Sequence, residues 1–350
     1  MPWDPSAFRD LIRGRRRGPG AALLRSVLRV AEFPYGLVVQ ARNQAYDRGW
    51  LPVHQAEVPL ISVGNLTVGG TGKTPLIEWL ARWFAASGIP VGVVSRGYKA
   101  RAGKANDEAL ELAEKLPSLP HVQAPDRVAA VREIVARYGC RVVLLDDAFQ
   151  HRRIHRDLEV VLLDAWEPFG WEHLLPRGTL RESVHALRRA DLVALSRQDA
   201  VSSEQRLAIR RRVHQLAPAA AWLELQHQPQ GLRTARGADE PLERVAGRRV
   251  AAFCGIGNPE GFRHTLDGLA CEVAGFRALP DHYGYAPREV RQLEAWVAGY
   301  SDLDAVLCTR KDLVKLNRSS LAGCELLALT IGLEIRAGQE QLEARLRQFL

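Results

Sequence analysis

The chain has 350 residues, 47% of them apolar and 25% charged, with a formal net charge of +8. That length exceeds one average domain and suits two. No uninterrupted apolar run reaches the roughly 18–20 residues that a bilayer crossing needs, and the five cysteines, Cys140, Cys254, Cys271, Cys308 and Cys324, contain no CxxC pair. A membrane span, a disulfide framework and a cysteine zinc site are thereby excluded, and a reducing compartment fits.

Most of the positive surplus lies at the N-terminus. Within residues 1–42, eight arginines face Asp4, Asp10 and Glu32. Residues 21–33, AALLRSVLRVAEF, read as an amphipathic helix: Leu24, Val27, Leu28 and Ala31 recur at helical spacing, with Arg25, Arg29 and Glu32 on another face. Pro34 is expected to end or kink it. The charges interrupting the apolar stretch, and the lack of a small-residue cleavage site, argue against a secretory signal. A basic helix of this kind suits either an anionic membrane interface or packing on its own domain. Residues 1–57 are read as this basic helical segment.

From residue 58 short apolar runs alternate with helical segments. Strands are expected at Leu60–Gly64, Val91–Ser95, Val142–Asp146, Leu158–Asp164 and Leu192–Ser196. Helices are expected at Thr74–Ala86, Asp107–Glu114 and Val128–Tyr138. The alternation predicts an α/β fold, a parallel sheet covered by helices. The polar, turn-rich stretch 225–247 reads as an interdomain connection. Further strands at Arg249–Cys254, Glu272–Leu279, Ala305–Thr309 and Glu325–Leu333 predict a second, smaller α/β domain. The expected domains are 58–230 and 231–350.

The first strand leads into VGNLTVGGTGKTP, a phosphate-binding loop. Gly69, Gly70 and Gly72 permit backbone angles that turn amides toward an anion, with Thr71 among them. Lys73 supplies a positive charge for the terminal phosphates and Thr74 a hydroxyl for Mg2+. Pro75 suits the first turn of a helix, whose N-terminus adds partial positive charge. The strict loop pattern would have glycine where this chain has Thr67. A P-loop also needs a metal-holding carboxylate at the end of a neighbouring strand. RVVLLDDAFQHRR supplies Asp146 and Asp147, at the sheet edge where ligands gather. Together these residues predict an NTPase-like domain that binds ATP and Mg2+. Val68 stands where partition-type ATPases carry an extra lysine, and TRKD at 309–312 is only a loose echo of a GTPase base-reading motif. No nucleic-acid motif accompanies the positive charge, so no nucleic-acid partner is expected.

Several stretches together resemble the tetraacyldisaccharide 4'-kinase family: VGNLTVGGTGKTP (63–75), SRGYKA (95–100), NDEALELA (106–113), APDRVAA (124–130), LLDDAFQHRR (144–153), LLPRGTLRES (174–183), FCGIGNPEGF (253–262), PDHYGY (280–285) and CTRKDLVKL (308–316). They run in family order from about residue 58 to 316. The resemblance implies phosphoryl transfer from ATP to the 4'-hydroxyl of an acylated glucosamine disaccharide 1-phosphate, the two domains flanking the active site. It implies Asp107 as the catalytic acid-base carboxylate with His282 as its partner, and Lys73 on the transferred phosphate. It places Tyr98, Arg127, Gln150, His151 and Arg181 near the disaccharide head group. It also implies a peripheral enzyme, expected to be a monomer, held to the cytoplasmic face of the inner membrane by its N-terminal segment. CTRKD is left with two readings, shaping the nucleotide side or capping the strand that ends near Cys308. Without the lipid-kinase motifs, the P-loop and Asp146 would suit a regulatory or assembly ATPase equally well.

Overall fold

The structure, a computed structural model, describes residues 5–97, 107–281 and 283–350. They form two compact units. The first comprises the described parts of Met1–Asn106, Leu116–Gln226 and Ile335–Leu350; the second comprises Asp107–Lys115 and the described parts of His227–Glu334.

In chain order the first unit has α1 (Pro5–Ile12), α2 (Pro19–Asp47), β1 (Leu60–Asn65), α3 (Lys73–Ala86) and β2 (Val91–Ser95). The chain then gives α4 (Asp107–Lys115) to the second unit and returns as β3 (His121–Gln123), α5 (Arg127–Tyr138), β4 (Val142–Asp146), β5 (Leu158–Asp164), β6 (Leu192–Ser196) and α6 (Ser203–Leu216). It leaves the first unit within β7 (Ala221–Thr234). The second unit continues with β8 (Asp239–Glu240), β9 (Arg249–Cys254), α7 (Pro259–Asp267), β10 (Glu272–Ala278), α8 (Pro287–Val297), β11 (Ala305–Thr309), α9 (Arg310–Leu316), β12 (Ser320–Leu321) and β13 (Cys324–Ala337). The last residues of β13 and α10 (Gln339–Leu346) belong again to the first unit. The expected domains followed chain order; the units differ from them in assigning α4 to the second and residues 335–350 to the first.

In the first unit the strands are ordered β7-β6-β5-β1-β4-β2-β3 and all pair in parallel. Strands β1, β2, β4 and β6 are buried at every position, as a parallel sheet covered on both faces requires. Leu60, Val143, Ile134 and Val131 form one apolar layer. Phe149, Val161, Val193 and Ile209 form another. A Cβ at Gly64 would lie 2.6 Å from that of Phe149, so glycine alone lets the two backbones approach here. Helix α5 starts at Asp126, whose carboxylate accepts from the amides of Val128 and Ala129, and stops at Gly139 with φ 64°. In the second unit β10-β9-β11-β13 are parallel neighbours, with β12 antiparallel to β13 and β8 antiparallel to β7.

Two elements depart from the sequence expectation. Helix α2 does not end at Pro34 but continues through it to Asp47. The lost backbone bond is tolerated where the helix surface is open to solvent, and contacts on both sides of the proline hold each half to the first unit. Ahead of it, Glu32 accepts from the Leu174 amide (2.7 Å); after it, the Tyr35 hydroxyl donates to the Arg181 carbonyl (3.0 Å). The expected connection at 225–247 begins as strand, continuing β7 to Thr234, and then carries β8 and a short 3-10 turn at Leu242–Val245. Its polar residues are half-buried at most positions, so the strand lacks the apolar alternation by which strands are recognised.

The two sides of α2 are unlike. On the side turned to the rest of the first unit, the C-terminal part of α2 makes polar contacts: Asn43 donates to Glu182 (2.6 Å), Arg42 to the Gln150 carbonyl (2.8 Å), and Asp47 accepts from Arg152 and Arg188 (2.7 and 2.8 Å). Leu23, Val27, Val30, Phe33, Leu37 and Val38 are exposed and fall within an arc of roughly 140° at helical pitch. No helix among the described residues is long and apolar enough to cross a membrane.

Candidate active site

The C-terminal ends of β1, β4, β5 and β6 converge on one loop. Strand β1 ends at Asn65, which is fully buried, and the chain then turns through residues 66–72 into α3. Gly69 and Gly72 adopt φ 130° and 86°, the left-handed region that disfavours side chains. The loop is laid against the segment 179–181: the Val68 amide donates to the Thr179 carbonyl and the Arg181 amide to the Leu66 carbonyl, both at 2.8 Å. Lys73 and Thr74 open α3, with Pro75 in its first turn.

Asn65 gathers the charged groups. Lys73 Nζ lies 3.4 Å from its side-chain oxygen and 3.6 Å from Asp147 Oδ1. Arg181 makes a two-pronged contact with the Asp147 carboxylate (2.9 and 2.8 Å) and also donates to the Asn65 carbonyl (2.9 Å) and side-chain oxygen. Burial alone would raise the Asp147 carboxyl, but Lys73 and Arg181 outweigh it and hold it well below the usual carboxylate range. Asp147 is therefore an anion at all physiological pH. Asp146, at the end of β4, is buried. A hydroxyl from Thr74 and carboxylates from Asp146 and Asp147 are hard oxygen donors, the set that Mg2+ prefers.

The remaining residues named from sequence sit as follows. Arg127 is 2% exposed and its guanidinium donates to the carbonyls of Ala124 (2.7 Å) and Asp146 (3.2 Å). Gln150 Nε2 donates to the Asn65 carbonyl (3.0 Å), while its Oε1 is buried without a partner among the described residues. His151 Nε2 is buried and likewise unpartnered; burial, then Arg127, Arg156 and Arg42, lower its pKa to about 4, so the ring is neutral at pH 7. Tyr98 and His282 lie outside the described residues. Of Asp107 only the backbone is described, as the first residue of α4.

Three residues at this edge were not picked out from sequence. Asn65 is one. The others are Arg197, just after β6, and Asp164, at the end of β5. Arg197 pairs with Asp164 (2.7 Å) and donates to the Gly70 carbonyl (2.9 Å), both side chains being nearly buried. A trans peptide points its C=O and the following N–H in opposite directions. By holding the Gly70 carbonyl, Arg197 sets the direction of the Thr71 amide. The SRQD stretch at 196–199 was the available signal.

The sequence profile of the tetraacyldisaccharide-1-P 4'-kinase (LpxK) family matches residues 24–350. The chain belongs to this family. Tetraacyldisaccharide 4'-kinases from Anaeromyxobacter dehalogenans (strain 2CP-C) and Desulfatibacillum aliphaticivorans are 40% and 36% identical to it, the alignments covering 95% and 93% of this chain and 92% and 93% of theirs. Among solved structures, an "apo" form of LpxK from Aquifex aeolicus in complex with ATP superposes with a TM-score of 0.71 at 28% identity, over 93% of this chain and 99% of that one. The tetraacyldisaccharide 4'-kinase family thus embraces the P-loop unit and the second unit alike. The α/β architecture is that of the family's ATP-bound member.

Proposed function

We propose that the chain transfers the γ-phosphoryl group of ATP to the 4'-hydroxyl of a tetraacylated glucosamine disaccharide 1-phosphate. The observation that carries this reading is the cluster of Lys73, Asp147, Arg181 and Asn65 at the mouth of a glycine loop, in a chain matching the family along residues 24–350.

The loop amides and the N-terminus of α3 bind the phosphates. Lys73 and Arg181 bring two positive charges to the place where negative charge accumulates during transfer. Groups already aimed at that charge supply the largest share of rate enhancement, and losing one typically costs about 10²–10³ in turnover. Thr74, Asp146 and Asp147 would hold Mg2+, which neutralises phosphate charge when bound. A sugar hydroxyl is a weak nucleophile, so Asp107 takes its proton, with His282 as the partner that orients the carboxylate and shares the charge. Gln150 and neutral His151, with a buried acceptor and a buried ring nitrogen to offer, suit the polar head group. Arg127 acts beneath them as a buried tie between the start of α5 and the end of β4.

The lipid substrate requires access from a membrane. Helix α2 leaves an apolar arc facing outward, where a helix packed for a soluble surface carries polar residues. A groove of about 820 Å³ runs beside it, lined by Phe33, Leu37 and Leu174, with basic groups (Arg29, Arg188 and Arg189) and acidic ones (Glu32, Asp47 and Glu172) alike on its walls. Its apolar walls suit an acyl chain. We therefore assign the chain a peripheral place on the cytoplasmic leaflet of the inner membrane.

Incubation with γ-labelled ATP and the tetraacyldisaccharide 1-phosphate, followed by organic extraction, tests the assignment. Label should appear in the lipid phase and depend on the acceptor. Rapid phosphate release without acceptor, and no labelled lipid, would instead indicate an ATPase switch.

A further inference from the structure

The turn that joins β11 to α9 fastens three segments of the second unit. Thr309 ends β11, and its hydroxyl donates to Asp312 Oδ2 at 2.6 Å. Asp312 is fully buried. Its carboxylate also accepts from the Tyr285 hydroxyl (2.6 Å) and, on both oxygens, from the Gly255 amide (3.1 Å). A Cβ at Gly255 would lie 2.9 Å from Asp312 Oδ1 and 3.1 Å from Tyr283 Cβ, so the approach of these segments depends on glycine.

Tyr285 is the unusual member. Its backbone has φ 51°, a conformation that bulky side chains rarely take and that persists only where the surroundings enforce it. The ring packs edge-on to Tyr283 at 5.1 Å and Phe253 at 6.3 Å. At the other end of the same stretch, the Leu279 amide donates to the Cys254 carbonyl (2.8 Å). Residues 279–285 are thus fastened at both ends, and His282 lies between them in sequence.

Two residues before Asp312, Arg310 pairs with Glu114 at 2.5 Å; Arg233 approaches the same carboxylate at 3.5 Å. Glu114 stands in the last turn of α4, whose first residue is Asp107. The interval is about two helical turns, which puts positions 107 and 114 on one face. Ala109 and Leu112 are buried on α4, and the Glu114 contacts tie its last turn to Arg310 and Arg233.

We propose that the Thr309–Asp312 turn is the positioning element of the proton-accepting pair: Arg310, through Glu114, sets the helix that begins with Asp107, and Asp312, through Tyr285, sets the stretch that carries His282. The proposal rests on the roles given above to Asp107 and His282. Arg310, Asp312 and Tyr285 act through other residues and are positioning residues. A displacement of about 1 Å at reacting groups lowers turnover by as much as roughly 100-fold.

The test uses the full chain with ATP and tetraacyldisaccharide 1-phosphate. Tyr285→Phe and Arg310→Met should each lower kcat by about ten-fold or more, while KM for ATP stays within about two-fold, because the P-loop belongs to the other unit. Asp312→Asn should do the same; if it fails to fold, Tyr285→Phe reads the same contact more gently. Added to His282→Ala, Tyr285→Phe should cause no further loss; a further loss of about ten-fold would mean that Tyr285 does not act through His282, and would overturn the proposal. Arg310→Lys, which keeps a positive charge beside Glu114, should hold kcat to within about three-fold of the parent where Arg310→Met does not; a Lys variant as slow as the Met variant would overturn the charge contact. A fall in melting midpoint with kcat of the folded protein unchanged also overturns it. Asp107→Ala and His282→Ala separate the two levels. If both retain full turnover, the pair itself is misassigned and the positioning proposal falls with it. If both abolish turnover while Tyr285→Phe and Arg310→Met keep kcat within about two-fold, only the positioning proposal fails.

Discussion

Lys73 and Thr74 were legible because a phosphate loop is local: the glycines, the lysine and the hydroxyl follow one another along the chain. Arg197 was not, because its meaning comes from Gly70 and Asp164, reached only when β1, β5 and β6 lie side by side. Its hydrogen bond to the Gly70 carbonyl gives a direct prediction. Removing a charged hydrogen bond costs about 1.5–3 kcal/mol, so Arg197→Met should raise KM for ATP by roughly ten-fold or more and weaken inhibition by tripolyphosphate to the same degree. An unchanged KM contradicts the role, and a loss confined to ATP points to a contact with the base instead. Two histidines set a pH dependence at this same scale. Burial, with Arg127 second, lowers His121 to about 4, and His151 is lowered to about 4 as well. Both folded values lie below the unfolded one, so the unfolded chain takes up protons first as pH falls. The stability they contribute is complete above about 6.5 and is lost as pH drops toward 4. For His121 the loss at pH 5 is about 2 kcal/mol. Urea midpoints at pH 7.5 and 5 check it: His121→Gln should show a smaller decline than the parent, and an equal decline contradicts the assignment.

Among the elements, the core strands matched their sequence expectation closely, because a strand buried on both faces reads as a continuous apolar run. Val91–Ser95, Val142–Asp146, Leu158–Asp164 and Leu192–Ser196 all appear with the expected bounds. Strand β7 and helix α2 were harder to read for opposite reasons. The former carries polar residues in a half-buried strand; the latter continues past a proline because neighbours hold both halves. The outward arc of α2 carries a further prediction. Fully burying one large apolar side chain is worth about 1.5–3 kcal/mol. Val30→Glu with Phe33→Glu should therefore weaken sedimentation with anionic vesicles by about 100-fold or more, with little change in melting midpoint, since both residues are exposed. Undiminished vesicle binding would remove α2 as the anchor.

Across the whole molecule, the units do not follow chain order. Sequence patterns report which residues are apolar and when the period changes, but not that a short helix such as α4 joins a partner more than a hundred residues later. That assignment depends on tertiary contacts, the Glu114 pairs with Arg233 and Arg310 among them. The consequence is functional. The phosphate loop and its acidic residues occupy the first unit, and Asp107 opens a helix of the second. Under the proposed roles, ATP binding and acceptance of the sugar proton draw on different units and should be separable by mutation.

The most direct measurement pairs ATP affinity with lipid phosphorylation in Asp107→Ala. Calorimetric titration should give an ATP Kd within about two-fold of the parent, while single-turnover transfer of labelled phosphate to the tetraacyldisaccharide 1-phosphate slows by about 10²–10⁴-fold. Transfer that proceeds within a few-fold of the parent rate would contradict the account.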